Sequence, residues 1–426
     1  MNNSNVSNRE FIITSRGVWK PTILSIILFF IMMTENTKAQ GGFAKDLTFL
    51  KNHTEIIVLR QGQSAVVVAP LFQGRVMTSA TNASKGAGFG WINKKVIEAG
   101  FLTEEERKGK IESQIYVFGG EERFWLGPEG GQFSIFFKPG ATFDFSNWKT
   151  PAVIDTDAFT LVSKTEYTAK FKHSCELINK SGTIFKMGIA RTVTILNKVA
   201  VEAVIKKELS DKIEFVGYQT KNQITNIGEK PWVPESGLPS IWMLGMYNPS
   251  PETTVVIPFV EGDESELGEK VNDTYFGKIS EDYLKVKEDV LFLKGDGTKR
   301  GKIGVGPKRT KGIAGSYDAN GGVLNIVTYN QQEAKHGYVN STWEEQVEPF
   351  AGDVLNAYND GAPEPGVAQM GPFYELETSS PAAALKPKET MTHIQTTIHL
   401  QGDKEDLNRL SEALLGVSLN EITNAF

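Results

Sequence analysis

Between Phe159 and Val204 the sequence is almost unbroken strand, and this constrains the fold more than anything else in it. Runs at 160–164, 167–178, 183–196 and 199–206 are rich in β-branched and aromatic residues. They are interrupted at Asn179-Lys180-Ser181-Gly182 and Asn197-Lys198, both of which have turn chemistry. Runs at 55–60 and 64–69 around Gln61-Gly62-Gln63 read as a hairpin. So does 323–329, which follows Ala319-Asn320-Gly321-Gly322. Residues 131–138 extend the strand pattern. Strands that follow one another without alternating helices call for sheet packed on sheet. The expected class is therefore all-β, an antiparallel sandwich with a few short helices. Helices are expected at 92–99, at 103–108 with Thr103 as cap, and at 404–415. In the last, Leu407, Leu410, Leu414 and Leu415 form a stripe and Gly416 is the stop.

The first forty residues read as an address. Arg9, Arg16 and Lys20 precede an apolar run from Ile23 to Met33, and Thr37-Lys38-Ala39 follows. That is the order of a secretory signal peptide, and the run is shorter than the ~20 apolar residues a bilayer needs. Cleavage after Ala39 leaves 40–426 as one domain, periplasmic or secreted. Residue 40 is glutamine, so no lipid-anchor cysteine stands there and no membrane partner is expected after cleavage. The chain carries 45 basic and 51 acidic residues. A net charge of −6 argues against nucleic acid as a partner. A single cysteine, Cys175, excludes an intramolecular disulfide and a cysteine zinc site. The glycine clusters at 86–90 and 301–306 lack the Gly-Lys-Ser/Thr of a phosphate loop and read as turns or close backbone approaches.

Polar and aromatic groups gather in four places: 121–131, 237–246, 343–361 and 373–378. A sugar offers C–H faces that stack on indole or phenol rings, and hydroxyls that need paired donors and acceptors. Arg123, Trp125, Glu129, Trp242, Trp343, Glu345 and Glu377 are expected to line one concave face of the sandwich. Asn356, Tyr358 and Glu375 are further candidates for substrate binding. A mono- or oligosaccharide is the expected partner. No cofactor is required, although Asp353, Asp360 and Glu375 offer hard oxygens that would suit Ca²⁺; the ligand spacing of an EF-hand is absent. His393 and His399 alternate with Ile394, Ile398 and Leu400, which reads as a solvated sheet face.

The closing segment carries a resemblance. Leu376-Glu377-Thr378, Ser380-Pro381-Ala382, Leu385-Lys386-Pro387-Lys388-Glu389 and Thr392-His393 resemble the end of the galactose mutarotases, the aldose 1-epimerases. Gly74-Arg75-Val76 resembles the strand where that fold begins. Through 124–131, 315–318, 358–361 and 371–381, the chain is similar to an uncharacterised group of exported proteins, common in Bacteroidetes, with a mutarotase-like fold. The resemblance implies a galactose mutarotase-like β-supersandwich in which Glu377 is the catalytic base. It also implies two histidines, and the matching segments here contain none, so the acid has no candidate. Three readings stand: a carbohydrate-binding protein that acts on its sugar by acid/base chemistry through Glu377, a non-catalytic structural or assembly module, and a glycosidase or lyase using paired carboxylates such as Glu375 or Glu377 with Glu129.

Overall fold

The computed structural model describes residues 42–108, 112–364 and 366–426; the segment 1–39, expected to be a signal peptide, lies outside them. The described strands form three antiparallel sheets. A small one holds Ile57–Gln61, Ser64–Ala69 and Arg75–Ala80. A ten-stranded sheet runs in the order Leu284–Val286, Val290–Lys294, Thr253–Pro258, Ile313–Asp318, Val323–Tyr329, Thr390–Gly402, Ile213–Asn226, Ile184–Leu196, Thr168–Ile178, Thr160–Lys164. A five-stranded sheet runs Gly301–Val305, Leu355–Asn359, Tyr374–Ser379, Ser240–Tyr247, Arg123–Gly127. The antiparallel sandwich expected from the strand runs is therefore present.

Turn chemistry fixes the long central hairpin. The Asn179 side chain accepts from the Thr183 backbone N–H at 2.8 Å, and Gly182 takes φ +88°. Register then runs unbroken from Ile178 opposite Ile184 to Thr168 opposite Thr194. The inner face of the five-stranded sheet packs on the ten-stranded sheet through a core that includes Phe124, Met243, Phe171, Phe185 and Met187. On the far side of the large sheet lies the helix Lys404–Leu415, as expected. Asp403 caps its start, accepting from the N–H groups of Glu405 and Asp406, and Gly416 ends it at φ +77°. Leu407, Leu410 and Leu415 are buried with Ile398, Leu400, Leu324 and Ile326, each contributing roughly 1.5–3 kcal/mol.

Four expectations are corrected. Residues 199–206 are not strand, because Lys198–Ile205 is a helix. Residues 131–138 form turns and bends. The glycine segment at 301–306 is not a turn but an edge strand, Gly301–Val305, while the close approach also expected there is met at Gly304, where a Cβ would meet the Asp353 carboxylate at 2.0 Å. His393 and His399 do not face solvent: they are 0% and 2% exposed. Their strand is covered on both faces, by the five-stranded sheet on one and the terminal helix on the other. Alternation of polar and apolar residues therefore does not mark an exposed side here. The His393 ring Nε2 lies 2.7 Å from the Thr378 hydroxyl, and Thr378 donates to Gln395 Oε1 at 2.6 Å. Burial pushes the His393 pKa down to about 3, so the ring is neutral and reaches Thr378 as the donor.

Candidate functional site

Because Thr378 reaches across the core to His393 and Gln395, its neighbours Glu375 and Glu377 project from the opposite, outer face of the five-stranded sheet. Register extends that face across the strands. Lys302 lies opposite Tyr358, and Tyr358 opposite Glu375. One step along, Asn356 lies opposite Glu377, Glu377 opposite Leu244, and Leu244 opposite Arg123. A further row brings Ser379, Trp242 and Trp125 together. Residues from five separate stretches of sequence thus share one surface.

Glu377 is its centre. The Trp242 indole N–H donates to Glu377 Oε2 at 2.9 Å, and the Lys302 ammonium lies 2.8 and 3.1 Å from its two oxygens. The same ammonium sits 4.7 Å from the Trp242 ring centroid, where cation–π attraction adds to the ion pair. Glu375 accepts from Arg123 at 2.5 Å, and the Arg123 guanidinium lies 5.0 Å from the Trp125 ring centroid. Burial pushes the Glu375 carboxyl up to about 8, against the pull of Arg123 and with a further push from Glu377. Glu129 is also raised by burial, opposed by Lys302 and reinforced by Glu377; it accepts from the Trp343 indole at 3.2 Å. Trp125 and Trp242 meet edge to face, with centroids 5.7 Å apart. Three donors on this face have no protein partner among the described residues: Arg123 Nε, Trp125 Nε1 and Ser240 Oγ, on residues 4%, 5% and 1% exposed.

The structure therefore brings together Arg123, Trp125, Glu129, Trp242, Trp343, Glu375 and Glu377. Asn356 lies on the same face and donates to the Tyr275 hydroxyl at 3.2 Å. Tyr358 donates to Asp360 at 2.7 Å. Glu345 stands apart: it is exposed and pairs with Lys180 at 3.0 Å. Asp353, Asp360 and Glu375 do not share a site for a cation. Asp353 accepts from Tyr275 and Asn272, Asp360 from Tyr358 and the Gly371 N–H, and Glu375 from Arg123. Among the described residues no group of three or more His, Cys, Asp or Glu is placed to hold a metal ion. Sequence reasoning missed Lys302 and Tyr275. Lys302 stood in a glycine cluster, and only the register opposite Tyr358 reveals which way it points. Tyr275 lies in an irregular segment with no periodic signal.

An antiparallel β-sandwich whose smaller sheet carries a buried, charged and indole-lined outer face is the class of protein this geometry defines. The chain belongs to a family of unknown function, DUF6786, whose model matches residues 41–426. No curated protein matches the sequence. The structure is similar to that of a galactose mutarotase-like protein from Lactobacillus casei, at 12% identity and TM-score 0.45, covering 82% of this chain and 100% of that one. It is also similar to a galactose mutarotase related enzyme from Lactobacillus acidophilus, at 8% identity and TM-score 0.41, covering 82% and 97%. Among the described residues no helix is long and apolar enough to cross a membrane.

Proposed function

We propose that the chain is an exported protein that binds a carbohydrate on the outer face of the five-stranded sheet, with Glu377 accepting a sugar hydroxyl. The observation that carries this reading is the gathering of two indoles, the Arg123 guanidinium, the Lys302 ammonium and the carboxylates of Glu129, Glu375 and Glu377 on one sheet face centred on Glu377. A polyhydroxylated ring supplies acceptors for a guanidinium or an ammonium, an apolar face for an indole and a hydroxyl for a carboxylate.

Lys302 sits over Glu377 and is among the more exposed members of the constellation, its side chain 11% accessible. Glu377 as base and Lys302 as proton donor would supply the pair of groups an anomeric proton transfer requires. No histidine is needed for it.

Calorimetry with a panel of neutral, amino and uronic sugars tests the proposal on residues 40–426. The wild type is expected to bind at least one member. Glu377→Gln, which keeps shape and removes charge, is expected to weaken that binding at least tenfold, and Trp125→Phe, which removes the indole N–H together with part of the ring, severalfold. A panel that gives no heat and no thermal stabilisation would sink the reading.

A further inference from the structure

We propose that the cleft walled by the segments 102–107, 113–116 and 149–156 binds a small organic anion, whose carboxylate or phosphate lies against the Arg107 guanidinium and the Lys149 ammonium. The cleft holds about 340 Å³, within the ~300–1,000 Å³ of small-molecule sites. Ser113 and Lys149 stand exposed at its mouth, and Arg107, Tyr116, Thr150 and Asp155 are buried along its floor. None of the residues gathered around Glu377 lines it, so this is a second site.

Its walls are pinned to one another. The Tyr116 N–H reaches both oxygens of Asp155 at 3.1 Å, and the Tyr116 hydroxyl donates to the Leu102 carbonyl at 2.7 Å. The Thr150 N–H donates to the Gln114 carbonyl at 3.0 Å. The Arg107 guanidinium lies 3.8 Å from the Tyr116 ring centroid, and one of its Nη groups donates to the carbonyls of Glu112 and Ile115, the latter at 3.0 Å.

These bonds leave the Arg107 Nε–H and the Thr150 hydroxyl with no partner among the described residues, although the two residues are only 8% and 4% exposed. Unpartnered buried atoms occur elsewhere in the protein. Here two of them line one open cleft that also carries a lysine. The acid in the lining, Asp155, does not cancel the two cations. Both its oxygens already accept, and burial pushes its pKa up to about 7 against the pull of the Tyr116 N–H and of Arg75, Arg107 and Arg123. An oxyanion accepts from the guanidinium, the ammonium and the hydroxyl together, and a guanidinium already held against a ring loses little freedom in binding it.

The test is calorimetry on residues 40–426 with inorganic phosphate, glucose 6-phosphate, glucuronate and, as the neutral control, glucose. Arg107 also holds two loop carbonyls, so the variants are Lys149→Gln, at an exposed residue, and Thr150→Val, which keeps the side-chain shape. At least one of the three anions is expected to bind. Lys149→Gln should weaken it about threefold, as an exposed charge does, and Thr150→Val roughly tenfold, as a hydrogen bond to a charged group does. Neither variant should alter the heat given by glucose. Glucuronate alone would mark a carboxylate ligand, and the two phosphates a phosphate ligand; either supports the proposal. Failure of all three anions to bind, or anion binding that both variants leave unchanged, would overturn it and leave the carbohydrate reading standing.

Discussion

Lys302 holds the outer face together electrostatically. Its ammonium contacts both oxygens of Glu377, and its charge also draws down the carboxyls of Glu129, Asp353 and Glu375. Removing one partner of a buried pair leaves the other charge unsatisfied, which costs more than the pair contributes. Lys302→Met should therefore destabilise the protein by roughly 3–5 kcal/mol, read as a fall in the urea midpoint at unchanged slope. A loss below about 1 kcal/mol would mean that Glu377 is already shared with water, as in surface pairs. The lysine was invisible to sequence reasoning, whereas Arg123, Trp242 and Glu377 were legible. Those three belong to segments dense in aromatic and charged residues, so their clustering can be read from residue type, and Glu377 was marked as well by the resemblance of its Leu-Glu-Thr segment. A lysine among glycines acquires meaning only from the strand it pairs with, and pairing is a long-range fact.

At the scale of elements, the helix Lys198–Ile205 shows how capping decides between conformations that composition leaves close. Val199, Val201, Val204 and Ile205 favour strand on propensity, and their run follows thirteen residues of strand, Ile184–Leu196. The Asn197 side chain accepts from the Ala200 N–H at 2.9 Å, closing the first turn, and Lys206 ends the helix at φ +54°. Val201 and Ile205, four residues apart, then fall on one face and are buried beside Leu196, Leu209 and Ile213. Asn197→Ala should cost about 1 kcal/mol, visible as a small drop in Tm. An unchanged Tm would show that packing of Val201 and Ile205 alone holds the helix. The terminal helix was readable because stripe and stop agree there, and the cap at Asp403 agrees with both. At 197–206 the cap opposed the propensities, and the cap with its packing prevailed.

At the scale of the molecule, one buried guanidinium joins the three sheets. Arg191, on the strand Ile184–Leu196, is 1% exposed. It donates to the Gly74 carbonyl at 3.0 Å, beside the small sheet, to the Asn222 side chain on the next strand of the large sheet, and to Glu122 at 2.8 Å, next to the five-stranded sheet. Gly74 has φ +61°, and a Cβ there would meet the Phe171 ring at 2.8 Å, so only glycine brings its carbonyl to this point. Glu122 also accepts from Gln395 at 3.0 Å, which extends the junction to Thr378, the residue after Glu377. Burial raises the Glu122 carboxyl, and Arg191 is the largest influence opposing that rise. Arg191→Met should then cost roughly 3–5 kcal/mol at neutral pH, with the sheets still unfolding together. The sign of its pH dependence follows from linkage. Without the arginine, the folded pKa of Glu122 rises further above its unfolded value. The proton that relieves the buried charge is bound below the unfolded value and lost as pH rises through the folded one. The penalty of the variant should therefore grow from pH 5 to pH 8. Adding Glu122→Gln, which carries no charge and can still accept from Gln395, should recover part of the loss and flatten that slope. Urea titrations of the single and double variants at both pH values decide it: a penalty independent of pH, or no recovery in the double variant, would mean that packing and not charge makes Arg191 the joint between the sheets.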